Sequence, residues 1–360
     1  MQSLIVLWVI LDMIKRKKKT NYRNGTTKKK LKSEFGSFDF ETPRDRNGEF
    51  DPQIVKKGQR DVSGIEDKII SLYGRGLSTR EINEQIQDLY GIEISAGMVS
   101  NITDQILPKI KEWQERPLDE VYPIVFVDAV HFSVREERTV VKKAAYIVLG
   151  VTSEGEKDIL GIWIGENESA KFWLGVFNDL KNRGVKDILI MCSDGLTGMK
   201  QAIETSFPKA VWQRCIVHMI RNSVKFVYYK DKKEFCKDLR SIYTSKNEKE
   251  GYEVLQKVME KWKNKYPTAL KSWEENWDSI CPFFSYSQHL RKIMYTTNTI
   301  ESLNRSFRKY TKTKAVFPSD ESLMKSLYLS TLNITKKWTA RYRNWDMILG
   351  ELSIMFEGRI

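Results

Sequence analysis

The sequence predicts an α/β protein with a mixed sheet, preceded by a small helical domain and interrupted by an all-helical segment. Apolar runs of strand length, rich in Val and Ile, occur between residues 122 and 214 and alternate with helical patterns. Short helical patterns separated by glycine turns precede that region, and helical patterns rich in Lys, Glu and Trp follow it. With 360 residues, 41% of them apolar, the chain is long enough for two or three domains with a sizeable core.

Composition and periodicity divide the chain into six predicted segments. They are an apolar leader and basic arm expected to be disordered (1–32), a polar linker (33–64), a helical domain (65–117), the first part of an α/β core (118–221), a helical insertion (222–295) and the C-terminal helices of the core (296–360). The insertion therefore separates two parts of one domain.

The apolar start, MQSLIVLWVILDMI, fits neither a membrane span nor a signal peptide. A spanning helix needs about 20 apolar residues, whereas this run is shorter and contains Asp12. A signal peptide places its positive charge before the apolar region, whereas the cluster KRKKK follows it from Lys15. We therefore expect a non-native or loosely packed leader and no membrane partner, with weak association to a membrane surface as the lesser alternative.

Positive charge is concentrated in two zones of the sequence. The formal net charge is +13; residues 1–32 contain ten Lys and Arg against one acid, and residues 289–346 contain twelve against four. Two basic zones separated by a near-neutral body indicate a polyanion bound at two places, and nucleic acid is the commonest such partner. A solubilising tail and a solvated helix face are the alternative.

Three short helices are predicted in the helical domain. The first ends at Gly74, the capping box Ser78-Thr-Arg-Glu81 begins the second, and Ser95 caps the third. This outline is that of a helix-turn-helix, which reads DNA by placing its last helix in the major groove. A packing or dimerisation domain is the alternative. The surface that contacts base edges would carry Ser100, Asn101 and Thr103.

The α/β core begins with three predicted strands joined by short connections, which favours an antiparallel meander. The strands are Tyr122 to Asp128, a run from Ala144 and a run from Asp158, with a charged connection from Arg135 to Lys143 between the first two. There follow a helix from Ser169 to Asn182, a strand from Asp187 to Asp194, a helix through Ile203 and a short strand from Ala210. This is the ribonuclease H-like order, in which the first and fourth strands are neighbours.

Three acids are the candidate catalytic residues. Asp128 and Asp194 follow the two neighbouring strands, and Glu301 lies in the first turn of a late helix. Taken singly, an aspartate after a strand often forms a turn, Asp194-Gly195 is a good turn pair, and Glu301 fits a capping box begun near Asn298. Together, three carboxylates form a site for two Mg²⁺ or Mn²⁺ ions, which prefer oxygen ligands. Two such ions promote in-line displacement at phosphorus, so we predict phosphodiester hydrolysis or strand transfer.

The sequence also suggests groups that support the acids or contact DNA. Cys215 and His218 form a CxxH pattern, for which a zinc site is disfavoured because structural zinc normally has four ligands. We expect Cys215 to pack, and His218 and His131 to support the acids or contact a phosphate. The residues predicted to contact DNA phosphates are Arg135, Arg214, Arg221, Arg305, Arg308, Lys309 and Lys312. Surface salt bridges are the alternative for Arg135, Arg214 and Arg221.

The chain resembles the bacterial insertion-sequence transposases of the Mutator-like group from Ile65 to Phe356. The matching passages are YGRGLSTREI, FVDAVHFSVR, DILGIWIGENESAKFW, CSDGLTGMKQAI, RCIVHMIRN and TTNTIESLNRSFR. The resemblance implies an acidic DDE triad at Asp128, Asp194 and Glu301, which are 66 and 107 residues apart, and a CxxH motif at Cys215 and His218.

The resemblance also implies a function. It predicts Mg²⁺-dependent cleavage and joining of double-stranded DNA at the inverted-repeat ends of an insertion element, by a homo-oligomer assembled on those ends and on target DNA. Widely spaced cysteines favour a reducing compartment, so we expect a cytoplasmic, nucleoid-associated bacterial protein. Residues 1–32 do not match the expected start of the family, which predicts a truncated chain or one begun at a wrong codon. The alternatives are therefore a catalytically silent, element-derived DNA-binding protein and a nuclease without a role in transposition.

Overall fold

The computed structural model describes residues 23–33, 36–47, 63–90, 93–165, 168–295 and 300–360. The predicted apolar leader and residues 48–62 of the predicted linker lie outside the described residues. The chain divides into two compact units. The first contains the described residues up to Tyr73 together with Leu77–Gln105, and the second contains Gly74–Gly76 and Ile106–Ile360. In the described part of the chain, no helix is both long enough and apolar enough to cross a membrane.

The first unit contains a β-hairpin and three helices. Its elements are β1 (Arg23–Ser33), β2 (Gly36–Asp45), α1 (Ser63–Gly74), α2 (Thr79–Tyr90) and α3 (Ala96–Asp104). The predicted caps are confirmed, because the Glu81 amide donates to Ser78 Oγ, the Ser78 amide donates to Glu81 Oε2, and the Met98 amide donates to Ser95 Oγ. The sequence therefore locates these three helices correctly.

The hairpin of β1 and β2 differs from the prediction of a disordered arm followed by an irregular linker. The two strands pair antiparallel, and their register sets Lys28 opposite Glu41 and Lys30 opposite Asp39. A run of lysines predicts disorder because like charges repel. The antiparallel partner of β1 is a separate segment, β2, and this pairing cannot be read from the lysine run alone.

The second unit is an α/β structure. Its strands are β3 (Val121–Glu136), β4 (Thr139–Val151), β5 (Lys157–Gly165), β6 (Asp187–Ser193) and β7 (Val211–Arg214). Its α-helices are α4 (Leu107–Glu115), α5 (Ala170–Asn182), α6 (Met199–Ser206), α7 (Ile216–Val224), α8 (Lys232–Tyr243), α9 (Glu248–Trp262), α10 (Lys271–Glu275), α11 (Trp277–Ile280), α12 (Gln288–Tyr295), α13 (Ile300–Thr311), α14 (Asp320–Thr335) and α15 (Trp345–Met355). Short 3₁₀ turns occur at Tyr229–Asp231 and Cys281–Ser285.

Helix α4 belongs to the second unit, whereas the sequence predicted a helical domain that extends to residue 117. Its C-terminal end is attached to strand β5 by polar contacts. Gln114 Oε1 accepts from the Ile162 amide at 3.2 Å, and Arg116 pairs with Asp158 at 2.7 Å. Trp113 also packs against Tyr328, with their ring centroids 5.5 Å apart. Contacts with residues far away in the sequence, rather than helical periodicity, therefore determine where this helix belongs.

The five strands form a mixed sheet in the order β5-β4-β3-β6-β7. Strands β3, β4 and β5 pair antiparallel, as predicted from their short connections. Strands β3 and β6 pair parallel, and β6 pairs parallel with β7. The prediction that the first and fourth strands of the core are neighbours is therefore confirmed.

Strand β3 continues well beyond Asp128, where the sequence predicted that it ends. Its pairing with β4 runs without a break from Ile124 to Glu136, so the predicted charged connection forms the two arms of a hairpin. The extension is covered by a distant segment: Phe317 donates to the Ser133 carbonyl and accepts from the Arg135 amide, both at 2.8 Å. A charged stretch lacks an obvious strand pattern, and its partner lies far away in the sequence.

The sheet of the second unit is buried on both faces. One face packs on α5 and α6, chiefly through Val125, Val127, Trp173, Phe177 and Ile203. The other face carries Ile124, Phe126 and Val130 and packs within a larger core that includes residues of helices α7 to α15. This double cover explains the continuous apolar run before Asp128. It also places that acid among buried groups.

All described elements between Asn222 and Tyr295 are helical, as the sequence predicted. Their core contains buried aromatic residues, and Trp273 is fully buried. Its indole N–H donates to Ser223 Oγ at 2.9 Å, which satisfies the polar atom of the buried ring. The same helices cover the face of the sheet on which Asp128 lies.

Candidate active site

The sheet brings the two aspartates to one place. The parallel pairing of β3 with β6 ends at Val127 and Ser193, and each aspartate is the next residue along the chain. Asp128 is 7% exposed, and Asp194, in the loop that follows β6, is half-buried. Because neighbouring parallel strands end at the same edge, adjacent register positions place the two carboxylates near each other.

The carboxylate of Asp128 is held by two hydrogen bonds. The side-chain amide of Asn304 donates to Asp128 Oδ2 at 2.6 Å, and the Ala129 amide donates to Oδ1 at 2.8 Å. Asn304 is itself buried, and its Oδ1 has no hydrogen-bond partner among the described residues. Burial raises the pKa of Asp128, the neighbouring charges of His218 and Arg221 oppose the rise, and the charge of Asp194 adds to it.

Glu301 reaches the same site from the first turn of α13, as predicted. Its carboxylate forms an ion pair with Arg221 on α7, and its side chain is 16% exposed, whereas that of Arg221 is 53% exposed. Burial raises the pKa of Glu301, Arg221 and His218 lower it, and Asp128 raises it again. The two acids are thus close enough to affect each other's ionisation.

Asp194 is accompanied by Arg214, the last residue of β7. The Gly195 amide donates to Asp194 Oδ1 at 2.7 Å. A Cβ at Gly195 would lie 1.9 Å from Arg214 Nη2, so only glycine allows this close approach of the guanidinium. Burial lowers the pKa of Arg214, and the charge of Asp194 partly restores it. Arg214 also donates to Asn276 Oδ1.

His218 lies between the acids and Cys215. Its Nε2 is 3.9 Å from Asp128 Oδ1, and Cys215 is the residue that precedes α7. Burial lowers the pKa of His218, but proximity to Cys215 and the charges of Asp128 and Asp194 outweigh that effect and raise it to about 9. The pKa of Asp128 nevertheless rises as well, because at 3.9 Å the attraction of His218 is too weak to offset its burial.

An open cleft of about 410 Å³ exposes part of this cluster. Asp128, Cys215, His218 and Glu301 line it together with apolar side chains that include Phe126, Ile293 and Ile300. The described residues contain no group of three or more His, Cys, Asp and Glu side chains placed to hold one metal ion. The carboxylate of Glu301 is instead paired with Arg221.

Two residues predicted to serve the site lie away from it. His131 is exposed, and its position in β3 is three residues beyond Asp128. Successive side chains of a strand point to opposite faces, so this odd spacing puts His131 on the other face of the sheet. Arg135 is exposed near the end of the β3–β4 hairpin, seven residues and roughly 23 Å along the strand from Asp128.

The residues predicted to read DNA on α3 are only partly on its surface. Asn101 is exposed and Ser100 is half-buried. Thr103 is fully buried, and its hydroxyl donates to the Ser100 carbonyl at 2.9 Å. Positions 99, 102 and 103 share one face of a helix, so Thr103 packs inward with the apolar residues and cannot contact bases.

The predicted basic face of α13 is exposed. Residues Ile300, Leu303 and Phe307 of this helix are buried, as their spacing predicted. The basic residues on the outer surface of α13 and just after it, all exposed, are Arg305, Arg308, Lys309 and Lys312. The helix therefore presents Glu301 to the acids and a row of cations to solvent.

Asn304 is the member of the site that the sequence analysis missed. It follows Glu301 by three residues on α13, and residues three apart lie on the same side of a helix. This spacing is the one pattern that could have indicated it. Asparagine on an otherwise amphipathic helix has many structural explanations, so only the 2.6 Å contact with Asp128 distinguishes it.

Comparison with known proteins shows extensive similarity to transposases. A probable transposase for an ISRM3-like insertion sequence element from Sinorhizobium fredii is 43% identical over 340 residues, which cover 94% of this chain and 85% of that protein. The transposase for insertion sequence element ISRM3 of Rhizobium meliloti has the same identity and coverage. The transposase for IS256 in transposon Tn4001 of Staphylococcus aureus is 28% identical over 330 residues, covering 90% of this chain and 84% of that protein.

The family model described as "Transposase, Mutator family" matches residues 12–341. The match begins within the apolar leader and includes the basic arm, so the expectation that the family likeness begins at Ile65 was wrong. The reason is that charged, low-complexity sequence carries few recognisable motifs even where it aligns. The model covers nearly the whole chain, and relatives at 43% identity are named transposases. This chain therefore belongs to the Mutator family of transposases.

Proposed function

We propose that this chain binds the inverted-repeat ends of an insertion element and catalyses metal-dependent DNA strand cleavage and strand transfer. The observation that carries the proposal is the convergence of Asp128, Asp194 and Glu301, which come from β3, the loop after β6 and α13. The relatives named above are transposases for insertion sequence elements. The exposed cations of α13 supply a surface for the DNA backbone beside the acids.

The fold proposed for the second unit is ribonuclease H-like, with an insertion of helices α8 to α12. Its support is the strand order, in which an antiparallel meander of β5, β4 and β3 adjoins parallel strands β6 and β7. We also propose that α1 to α3 form a helix-turn-helix-like DNA-binding domain, with Asn101 and Ser100 as the contacts to bases. The exposure of Asn101 and the partial exposure of Ser100 on the last of three short helices support that role.

The donor atoms suit divalent cations, although the described side chains are not arranged around one. Asp128, Asp194 and Glu301 provide carboxylate oxygens, the ligand type that Mg²⁺ and Mn²⁺ prefer. Bound cations would supply positive charge to the attacking and leaving oxygens of an in-line displacement. Burial and mutual repulsion already raise the pKa values of Asp128 and Glu301, so positive charge at this place is favourable. Binding through Glu301 requires its carboxylate to exchange Arg221 for the cation.

The other residues of the site then have distinct tasks. Asn304 orients the Asp128 carboxylate through its 2.6 Å hydrogen bond. In the metal-free site His218 has a pKa of about 9, so it carries a proton at neutral pH and supplies positive charge beside Asp128. Arg221, once released from Glu301, is free to contact a DNA phosphate, and Arg214 remains close to Asp194.

The partners follow from this chemistry. The substrates are the element ends and target DNA, and joining two ends calls for a homo-oligomer on DNA in the bacterial cytoplasm, associated with the nucleoid. The alternative of a silent DNA-binding protein depended on an atypical N-terminal region. Because the family match begins at residue 12, that argument no longer favours it.

The test compares DNA cleavage and joining by the wild type and by Asp128→Asn in Mg²⁺. The substrate is a duplex that carries the inverted repeat flanking this coding sequence. We expect the variant to bind this DNA but to yield neither cut nor joined products, because a neutral amide is a poorer ligand for a divalent cation. Asp278→Asn, which changes an exposed aspartate on α11, is the matched control. Equal cleavage by wild type and Asp128→Asn would refute the proposal, and cutting without joined products would indicate a nuclease.

A further inference from the structure

A basic cavity lies beside the helix that carries Glu301. Its volume is about 250 Å³, and its lining comes from α13, the start of β5 and the C-terminal end of α14 with the residues after it. The polar and aromatic side chains that line it are Lys157, Ser302, Ser306, Lys309, Tyr310, Lys337 and Trp338. Three lysines without an acid among the lining residues make this cavity suitable for an anion.

Lys157 is the most informative residue of the cavity. It is half-buried, and its ammonium lies 5.1 Å from the ring centroid of Tyr342 and 5.7 Å from that of Trp338. Burial lowers the pKa of Lys157, and its ammonium forms no ion pair with a carboxylate among the described residues. An ammonium that is partly removed from water without an acidic partner is costly unless an anion binds there. The two aromatic rings hold the charge in place while leaving it available.

The position of the cavity indicates which kind of anion would bind in it. Ser302, Ser306 and Lys309 occupy positions i, i+4 and i+7 of α13 and therefore share one side of that helix. Ser302 directly follows Glu301 in the first turn of α13, so the cavity begins at the same level along the helix axis as the acids. From Ser302 to Lys309 the helix rises roughly 10 Å, about the length of three nucleotides of one strand. A strand that enters the acidic site along α13 would pass this cavity.

We propose that the cavity holds a backbone phosphate of the DNA strand about three nucleotides or fewer from the phosphodiester that is cut. Lys157 and Lys309 contact the phosphate oxygens, the exposed hydroxyl of Ser302 donates to them, and Trp338 forms the wall beside the sugar. The inference rests on the proposed function, since it names a contact with that substrate. The role of this phosphate contact is to fix the position of the DNA strand relative to Asp128 and Glu301.

The experiment combines lysine variants with DNA that lacks single charges. Duplexes of the flanking inverted repeat carry one neutral methylphosphonate at successive positions near the cut, and their affinities are measured by fluorescence anisotropy without divalent cations. For the wild type, we expect one position at which the neutral linkage weakens binding about tenfold or more. Lys157→Gln should weaken binding to unmodified DNA by a similar factor and should lose its sensitivity to that position.

Two further variants keep the result interpretable. Lys157→Arg retains the positive charge and should retain sensitivity to the neutral linkage, and Lys249→Gln, an exposed lysine on α9, should behave like the wild type. Melting temperatures within a degree or two of each other would show that the variants fold. If the effects of Lys157→Gln and of the neutral linkage are additive at every position, the cavity does not contact the DNA backbone and the inference is overturned.

Two other outcomes separate this inference from neighbouring ones. A free anion is the competing occupant: if excess inorganic phosphate stabilises the wild type but not Lys157→Gln against heat, while the methylphosphonate effects stay additive, the cavity binds free phosphate instead and the inference fails. If the wild type cleaves and joins element ends while the effects of Lys157→Gln and of the neutral linkage are additive, this inference alone is refuted. A wild type that neither binds nor cleaves those ends refutes the proposed function together with it.

Discussion

Asn304 connects the third acid to the first. It lies one turn after Glu301 on α13, and its side-chain amide donates to Asp128 Oδ2 at 2.6 Å. A side chain that orients a metal ligand without necessarily contacting the ion is often as important for metal affinity as the ligand itself. The carboxylate of Asp128 therefore owes its orientation to the helix that also supplies Glu301.

We expect Asn304→Ala to weaken Mn²⁺ binding about 10- to 100-fold, because the orienting hydrogen bond to Asp128 is lost. Electron paramagnetic resonance titration of free Mn²⁺ measures this affinity without requiring DNA. Gln256→Ala, which removes an exposed side-chain amide on α9, is the matched control and should bind Mn²⁺ like the wild type. Unchanged Mn²⁺ affinity in Asn304→Ala would show that the contact with Asp128 is incidental.

His218 is a titrating group at the centre of the acidic site. Its pKa of about 9 lies above the usual 6.5, despite burial, because Cys215, Asp128 and Asp194 are close. A group whose pKa is higher in the folded protein than in the unfolded chain stabilises the fold fully below the unfolded value. That stabilisation is then lost as the pH rises through the folded value.

For the metal-free protein, we expect His218→Asn to lower the free energy of unfolding most at pH values below 6.5, by up to about 3 kcal/mol. The difference from the wild type should shrink as the pH rises from 6.5 to above 9. Urea unfolding across this range measures it, and His131→Asn, which removes an exposed imidazole, is the control. A deficit that stays constant over the whole range would contradict a protonated His218.

Among the secondary-structure elements, α13 combines three surfaces. Ile300, Leu303 and Phe307 pack inward, Glu301 and Asn304 face the acidic site, and the outer surface is basic. Apolar burial therefore fixes the helix, and the fixed helix determines where both a carboxylate and a row of cations lie. An element of 12 residues thus links the proposed metal site to the proposed DNA surface.

We expect Arg308→Gln combined with Lys312→Gln to reduce the salt dependence of DNA binding. Each phosphate contact contributes about −0.9 to the slope of log K against log[salt], so losing two should change that slope by roughly 2. Fluorescence anisotropy at several salt concentrations measures the slope. The control replaces Lys249 and Lys257 by Gln, two exposed lysines on α9. A slope unchanged in the α13 variant would place the DNA backbone elsewhere.

The hairpin of β3 and β4 shows which part of a strand can be predicted from its local sequence pattern and which part cannot. The apolar run that leads to Asp128 predicted a buried strand, and residues Ile124 to Val127 are buried within β3. The continuation of that strand to Glu136 was not predicted. Only Val130 and Val134 of this extension are buried, and its backbone is paired with Phe317, which lies more than 180 residues away in the sequence. A pattern within one segment does not contain that information.

At the scale of the whole molecule, the order and pairing of the core strands were predictable. Short connections favour antiparallel pairing, and longer helical connections allow parallel pairing, so the chain order alone restricts the sheet to few arrangements. The same reasoning brought Asp128 and Asp194 together. By contrast, α4 packs with the second unit through contacts with β5 and Tyr328, which its own periodicity does not indicate.

The limits of sequence reasoning at the site have the same physical origin. His131 was expected beside Asp128 because it is near in sequence, but the two-residue period of a strand turns it to the other face. Thr103 was expected on a DNA-reading surface, but the period of the helix buries it. Asn304 was overlooked although it touches Asp128, because 176 residues separate the two in the chain.

Local patterning was sufficient to locate the helices of the first unit, the strands of the core and the three acids, because hydrophobic periodicity and caps act over a few residues. It could not establish that Arg221 pairs with Glu301, that Asn304 holds Asp128 or that a basic cavity lies beside α13. Those features join side chains from segments far apart in the chain. Their positions follow from how the helices pack on the sheet, which is a property of the whole folded unit.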